Sequence, residues 1–163
     1  MRFTKIKKTK EGKIFLEYQD KNTKGEYDNY SFECGEEPLP EFNQALQLLA
    51  PDVLSLCEIP IIDAERITVK SVSMSYGGDL EVMGASICGA MTLRESNCPL
   101  NLNTPNKASD SYSGGPADPK QILDGKTVKK IENVCKEAKR YLAGERAQGN
   151  LFQATEDPAE LKD

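Results

Sequence analysis

The sequence predicts an α+β fold: a single antiparallel sheet, a three-stranded meander plus a hairpin, with two helices packed on it in the order βββ-α-ββ-α. Three observations predict it. Apolar residues alternate at period two between residues 2 and 34 and again between 66 and 93. They recur at intervals of three and four around Phe42–Leu49 and Val128–Leu142. Turn-forming residues separate all of these segments.

Residues 2–9 and 13–19 read as strands joined by a Glu11-Gly12 turn, with Ile14, Leu16 and Tyr18 on one face of the second. The run Asp20-Lys21-Asn22-Thr23-Lys24-Gly25 is a turn by composition. Tyr30, Phe32 and Cys34 then alternate with Asn29, Ser31 and Glu33, which completes the meander. Leu39-Pro40-Glu41 opens the first helix, because proline lacks only an N–H that has no helical partner there. Its stripe is Phe42, Ala45, Leu46 and Leu49, and Pro51 should interrupt or kink it before Val53, Leu54, Leu56 and Cys57.

The hairpin runs from Arg66 to Tyr76, turns at Gly77-Gly78-Asp79 and returns from Leu80 to Leu93. Gly84 and Gly89 in the returning strand point to a bulge or a close approach by another backbone. Residues 96–119 are rich in asparagine, proline and glycine and are expected to be loop, with Leu100 and Leu102 able to pin its first part to the core. Asp118-Pro119 caps the last helix, Asp124-Gly125 can split off its first turn, and Gly144 stops it. The expected stripe on that helix is Val128, Ile131, Cys135, Ala138 and Leu142.

A chain of 163 residues supports one domain with a real core. The expected division is a globular α+β domain over 1–144, containing the 96–119 loop, and an acidic tail over 145–163 that is disordered when free. The net charge of −5 repels nucleic-acid phosphates unless lysines gather on one face. Lys5, Lys7, Lys8, Lys10 and Lys13 gather in sequence, but a solvated strand and turn accounts for them better than a nucleic-acid site does. The five cysteines are odd in number and form no C-x-x-C pair, which suits reduced thiols in a cytoplasmic setting. No apolar run approaches a membrane span, and Met1–Lys5 opens no signal-peptide core.

The chemistry is read mainly from what is missing. There is no histidine, which removes Ser-His and Cys-His dyads and the usual general base near neutral pH. No zinc-ligand spacing, calcium-loop spacing or glycine-rich phosphate cradle occurs. Glu33, Glu36, Glu37 and Glu41 cluster enough to attract a hard cation, although a solvated acidic rim is the better account. Cys98, beside Pro99 and near Arg94 in sequence, reads as an inert thiol. No catalytic, metal-binding or cofactor-binding residue is assigned.

The sharpest signal is in the tail. Gln148-Gly149-Asn150-Leu151-Phe152 resembles the peptide motif by which bacterial polymerases, clamp-loader subunits and repair proteins dock on the β sliding clamp. The resemblance implies that Leu151 and Phe152 anchor in an apolar pocket, with Gln148 as polar contact and Asn150 as small polar spacer. Gly149 departs from the motif, where leucine is commoner. The Lys-rich opening, the Tyr76-Gly77-Gly78 hairpin and the Pro99–Pro105 stretch also resemble small uncharacterised proteins of phages and mobile elements in Gram-positive bacteria. Together these imply a non-enzymatic accessory factor of DNA replication, recombination or repair. The alternative is a structural or protein-interaction module, monomeric or homo-oligomeric, whose tail packs on its own domain. A mobile Leu151-Phe152 favours the first reading and a buried pair the second.

Overall fold

Strands β1 (Arg2–Lys8), β2 (Ile14–Lys21) and β3 (Tyr27–Cys34) form the expected meander in a computed structural model that describes residues 1–147. Ile6, Ile14 and Leu16 are fully buried on one side of it, while their neighbours Lys5, Lys7 and Glu17 point to the other. The first turn needs Gly12, whose φ of +84° is a left-handed conformation that side chains with a Cβ resist.

Helix α1 (Pro40–Gln47) starts on its proline and buries Phe42, Ala45 and Leu46. The interruption expected at Pro51 is a complete break: helix α2 (Ala50–Leu56) begins afresh, with Pro51 in its first turn. Proline is tolerated there and not in the middle of a longer helix, where it would clash with the carbonyl four residues back. The hairpin follows as β4 (Ile67–Gly77) and β5 (Val82–Met91). Its glycines mark close approaches. A Cβ on Gly84 would lie 2.9 Å from Asn106 Oδ1, and one on Gly89 would lie 3.2 Å from the Thr68 carbonyl.

The segment 96–119 is not all loop. It carries β6 (Leu100–Asn103), paired with β5, and β7 (Lys107–Ala108), which pairs with Gly84 and Ala85 further along the same strand. Asparagine and proline disfavour strands on propensity. An edge position with a ready partner outweighs that, since β5 otherwise leaves a row of unpaired amides. Leu102 does pack against the core, whereas Leu100 stays 42 % exposed. The Thr104 hydroxyl extends the ladder by accepting from the Ile87 amide at 2.8 Å.

A single 3-10 turn (Pro119–Gln121), capped by Asp118, precedes helix α3 (Gly125–Leu142), capped by Asp124. The buried face of α3 is centred on Ile131, Val134, Ala138 and Tyr141, with Val128, Cys135 and Leu142 at its flank. The stripe is thus rotated from the expected one, because α3 packs against α1 as well as the sheet. The Asp124 carboxylate accepts from the Thr127 amide at 2.8 Å, and this bond leads the causes that hold its pKa below the usual value. A carboxyl with a depressed folded-state pKa stabilises fully above its unfolded value of about 3.9 and loses that contribution as pH falls through the folded one. Asp124→Ala should therefore cost about 1 kcal/mol at pH 7. In urea melts the difference from wild type should shrink below about pH 4.

The seven strands among the described residues form one antiparallel sheet in the order β3-β2-β1-β4-β5-β6, with β7 beside β5. The three helices cover one face, where Leu49, Val53, Leu54, Ile67, Val72, Ile87 and Ile131 form the core. The other face carries cross-strand rows of polar and small residues, such as Ser31, Glu17, Lys5, Ser73 and Ser86. No described helix is long and apolar enough to cross a membrane.

Candidate partner-binding segment and its anchorage

The motif residues Gln148, Asn150, Leu151 and Phe152 lie outside the described residues; what is described is the anchorage from which they start. Helix α3 ends in a Schellman arrangement. Gly144, at φ +105°, donates to the Tyr141 carbonyl, and Glu145 donates to the Arg140 carbonyl. This reversal sends Glu145–Ala147 back across the residues that follow β3. Arg146 forms an antiparallel bridge with Pro38, and the Ala147 amide donates to the Glu37 carbonyl at 3.0 Å.

The Arg146 side chain does most of the holding. Its guanidinium lies 3.5 Å from the ring centroid of Tyr141, its Nε donates to Glu36 Oε1 at 3.0 Å, and its Nη1 donates to the Tyr141 carbonyl. Only 13 % of this side chain is exposed, so the cation–π contact is largely shielded from water. Tyr141 is itself fully buried, and its hydroxyl donates to the Glu36 carbonyl at 2.7 Å. Burial, first among the causes, raises its pKa. Cys34 closes the cluster. The Tyr141 hydroxyl, the Glu36 amide and Arg146 together lower its thiol from the ordinary value, the tyrosine contributing most.

This cluster was not legible as a unit, because Glu36 and Arg146 are 110 positions apart. The only hint was a lone arginine just past the helix stop at Gly144.

Other candidates fall differently. The five N-terminal lysines do not share a face. Lys5 and Lys7 point to the open side of the sheet, Lys8 turns to the helix side to donate to Asn43, and Lys10 and Lys13 flank the turn. Of the four clustered glutamates, Glu36 is committed to Arg146. Among the described residues no group of three or more potential ligands is placed to hold a metal ion. Cys98 is exposed, and Arg94 pairs at 3.5 Å with Asp63. A groove between α3 and the start of β1, lined by Met1, Phe3, Tyr76, Cys135 and Lys139, has a volume of about 410 Å³. Burial pushes both Cys135 and Tyr76 up to about 12, so both stay protonated at neutral pH and neither is a ready nucleophile.

Comparison of the chain with protein-family models, with curated proteins and with solved structures finds no match in any of the three.

Proposed function

We propose that this chain is a non-enzymatic binding protein that presents a C-terminal peptide from a rigid α+β platform, and that the peptide docks on the bacterial β sliding clamp. The observation that carries this reading is positional: the packed chain is tied down at Arg146 and Ala147, and Gln148, the first residue of the motif, comes next. A short recognition peptide gains from such an anchor, since its start is fixed in space and only a few residues must be ordered on binding. Leu151 and Phe152 supply the two adjacent apolar anchors, and Gln148 and Asn150 the polar contacts. In this reading the chain is a phage or mobile-element accessory factor that recruits to the clamp or excludes a host polymerase from it.

Calorimetry of the full chain with purified clamp tests the proposal. Micromolar or tighter binding is expected. The Leu151→Ala/Phe152→Ala double variant should lose at least about 100-fold in affinity, as removal of two central anchors does elsewhere. Gly149→Leu should tighten binding several-fold by restoring a side-chain contact and lowering the ordering cost. Absence of binding by the wild type would return the chain to the second reading, a module whose tail packs on its own domain. The course of the backbone at Ala147 favours that reading specifically.

A further inference from the structure

β3 is an edge strand of eight residues, and among the described residues no strand pairs its outer side. Such an edge offers a row of unpaired amides and carbonyls. Which residues offer them follows from the β2–β3 hairpin. The Asn22 amide donates to the Glu26 carbonyl, so Lys21–Tyr27 is a non-hydrogen-bonded pair. Alternation along the unbroken register then directs the backbone groups of Asp28, Tyr30, Phe32 and Cys34 at β2. Asn29, Ser31 and Glu33 direct theirs outward.

The chain that leaves α3 runs antiparallel to Glu37 and Pro38, which a bend at Glu36 separates from the end of β3 at Cys34. Arg146 bridges Pro38, and the Ala147 amide bonds to the Glu37 carbonyl, which makes Ala147–Glu37 a hydrogen-bonded pair. Carried forward through the bend at Glu36, the same register would pair Gly149 with Gly35, Leu151 with Glu33 and Gln153 with Ser31. Glu33 and Ser31 are positions whose backbone groups point outward, so the two phases match when the register is kept through that bend. The groups of Glu36, which this register leaves unpaired, are already occupied: its amide lies on Cys34 Sγ and its carbonyl accepts from Tyr141.

We propose that β3 is the docking surface for the chain's own residues 148–155, which add to it as an antiparallel edge strand. In this register Phe152 stands opposite Phe32, and Ala154 opposite Tyr30, on the helix-covered face. Phe32 is half-buried there against Tyr141, and Tyr30 is 46 % exposed, so this is where the sheet lacks cover. The addition stops after Thr155, where Glu156 would face Asp28 and like charges oppose. A seated tail turns Phe152 inward and withdraws it from any partner.

The inference rests on the tail-on-domain reading and not on clamp binding. The test therefore contains no clamp, and the two can fail separately. Asn150 falls opposite Cys34 in a non-hydrogen-bonded pair, the geometry that suits a cross-strand disulfide. In dilute full-length protein under mild oxidation, Asn150→Cys should bond to Cys34 within one chain at least about tenfold faster than Gly149→Cys or Leu151→Cys, whose side chains face the other side. In wild type the Ser31 and Glu33 amides should exchange hydrogen at least about tenfold more slowly than in Leu151→Pro, which removes a ladder donor. Equal oxidation rates for the three cysteine variants would overturn the register. Exchange of Ser31 and Glu33 at the same rate in wild type and Leu151→Pro would overturn the strand. If the Asn150→Cys variant bonds to Cys34 only between two chains, self-docking is overturned and the edge belongs to a second copy instead.

Discussion

Replacing Tyr141 by alanine is expected to destabilise the domain by about 3–5 kcal/mol, the range for removing a large buried aromatic. Tyr141 is among the largest fully buried side chains, and its ring meets Phe32 edge-on and Phe42 at a tilt, at centroid distances of 6.2 and 5.9 Å. It thus joins the meander, α1 and the end of α3 at one point. Truncation leaves a cavity and an unpaired Glu36 carbonyl, and it removes the surface on which Arg146 rests. Tyr141→Phe keeps the packing and loses only the hydroxyl, so about 1 kcal/mol is expected. Urea melts of the two variants check both figures. A cost for Tyr141→Ala no greater than for Tyr141→Phe would mean that the ring contributes little to the core.

The second large effect is expected at Asp52, in the first turn of α2. Its carboxylate accepts from the Thr127 hydroxyl at 2.5 Å and from Lys130 Nζ at 2.7 Å, both on α3. Only 12 % of the Asp52 side chain is exposed, against 31 % of Lys130. Asp52→Ala leaves the Lys130 ammonium without its partner and the buried Thr127 hydroxyl with only a longer bond, 3.3 Å, to Asp124, and should cost about 2–3 kcal/mol, below the range for breaking a fully buried pair. Lys130→Met should cost less, about 1 kcal/mol, because Asp52 keeps Thr127 and retains some access to water. A double-mutant cycle measures the coupling directly. A coupling near zero would show the pair to be as inconsequential as an ordinary surface ion pair.

Period and punctuation made most of the elements legible. Ile14-x-Leu16 and Tyr30-x-Phe32-x-Cys34 announce strands because one face of a pleat is buried and the other is not. Asp118-Pro119, Asp124-Gly125 and Gly144 were readable as helix punctuation because each meets a backbone need that few residues meet. β6 and β7 were not legible. A strand of two to four residues has too short a period to stand out, and its composition of asparagine and proline reads as loop. The candidate peptide was legible as a motif, whereas the cluster of Glu36, Tyr141 and Arg146 that anchors its start was not.

By itself, then, the sequence determined the α+β class, the meander, the hairpin, the helix ends and the position of the candidate binding peptide. All of these depend on residues within a few turns or pleats of one another. Only the tertiary structure decided that β1 joins β4 at the centre of the sheet, leaving β3 at its edge among the described residues. It also decided that the chain leaving α3 returns to Glu37 and Pro38, just past the end of β3. Such facts depend on pairings between residues about 65 to 110 positions apart, which no local pattern encodes, because sheet order is chosen by which apolar faces can be buried together.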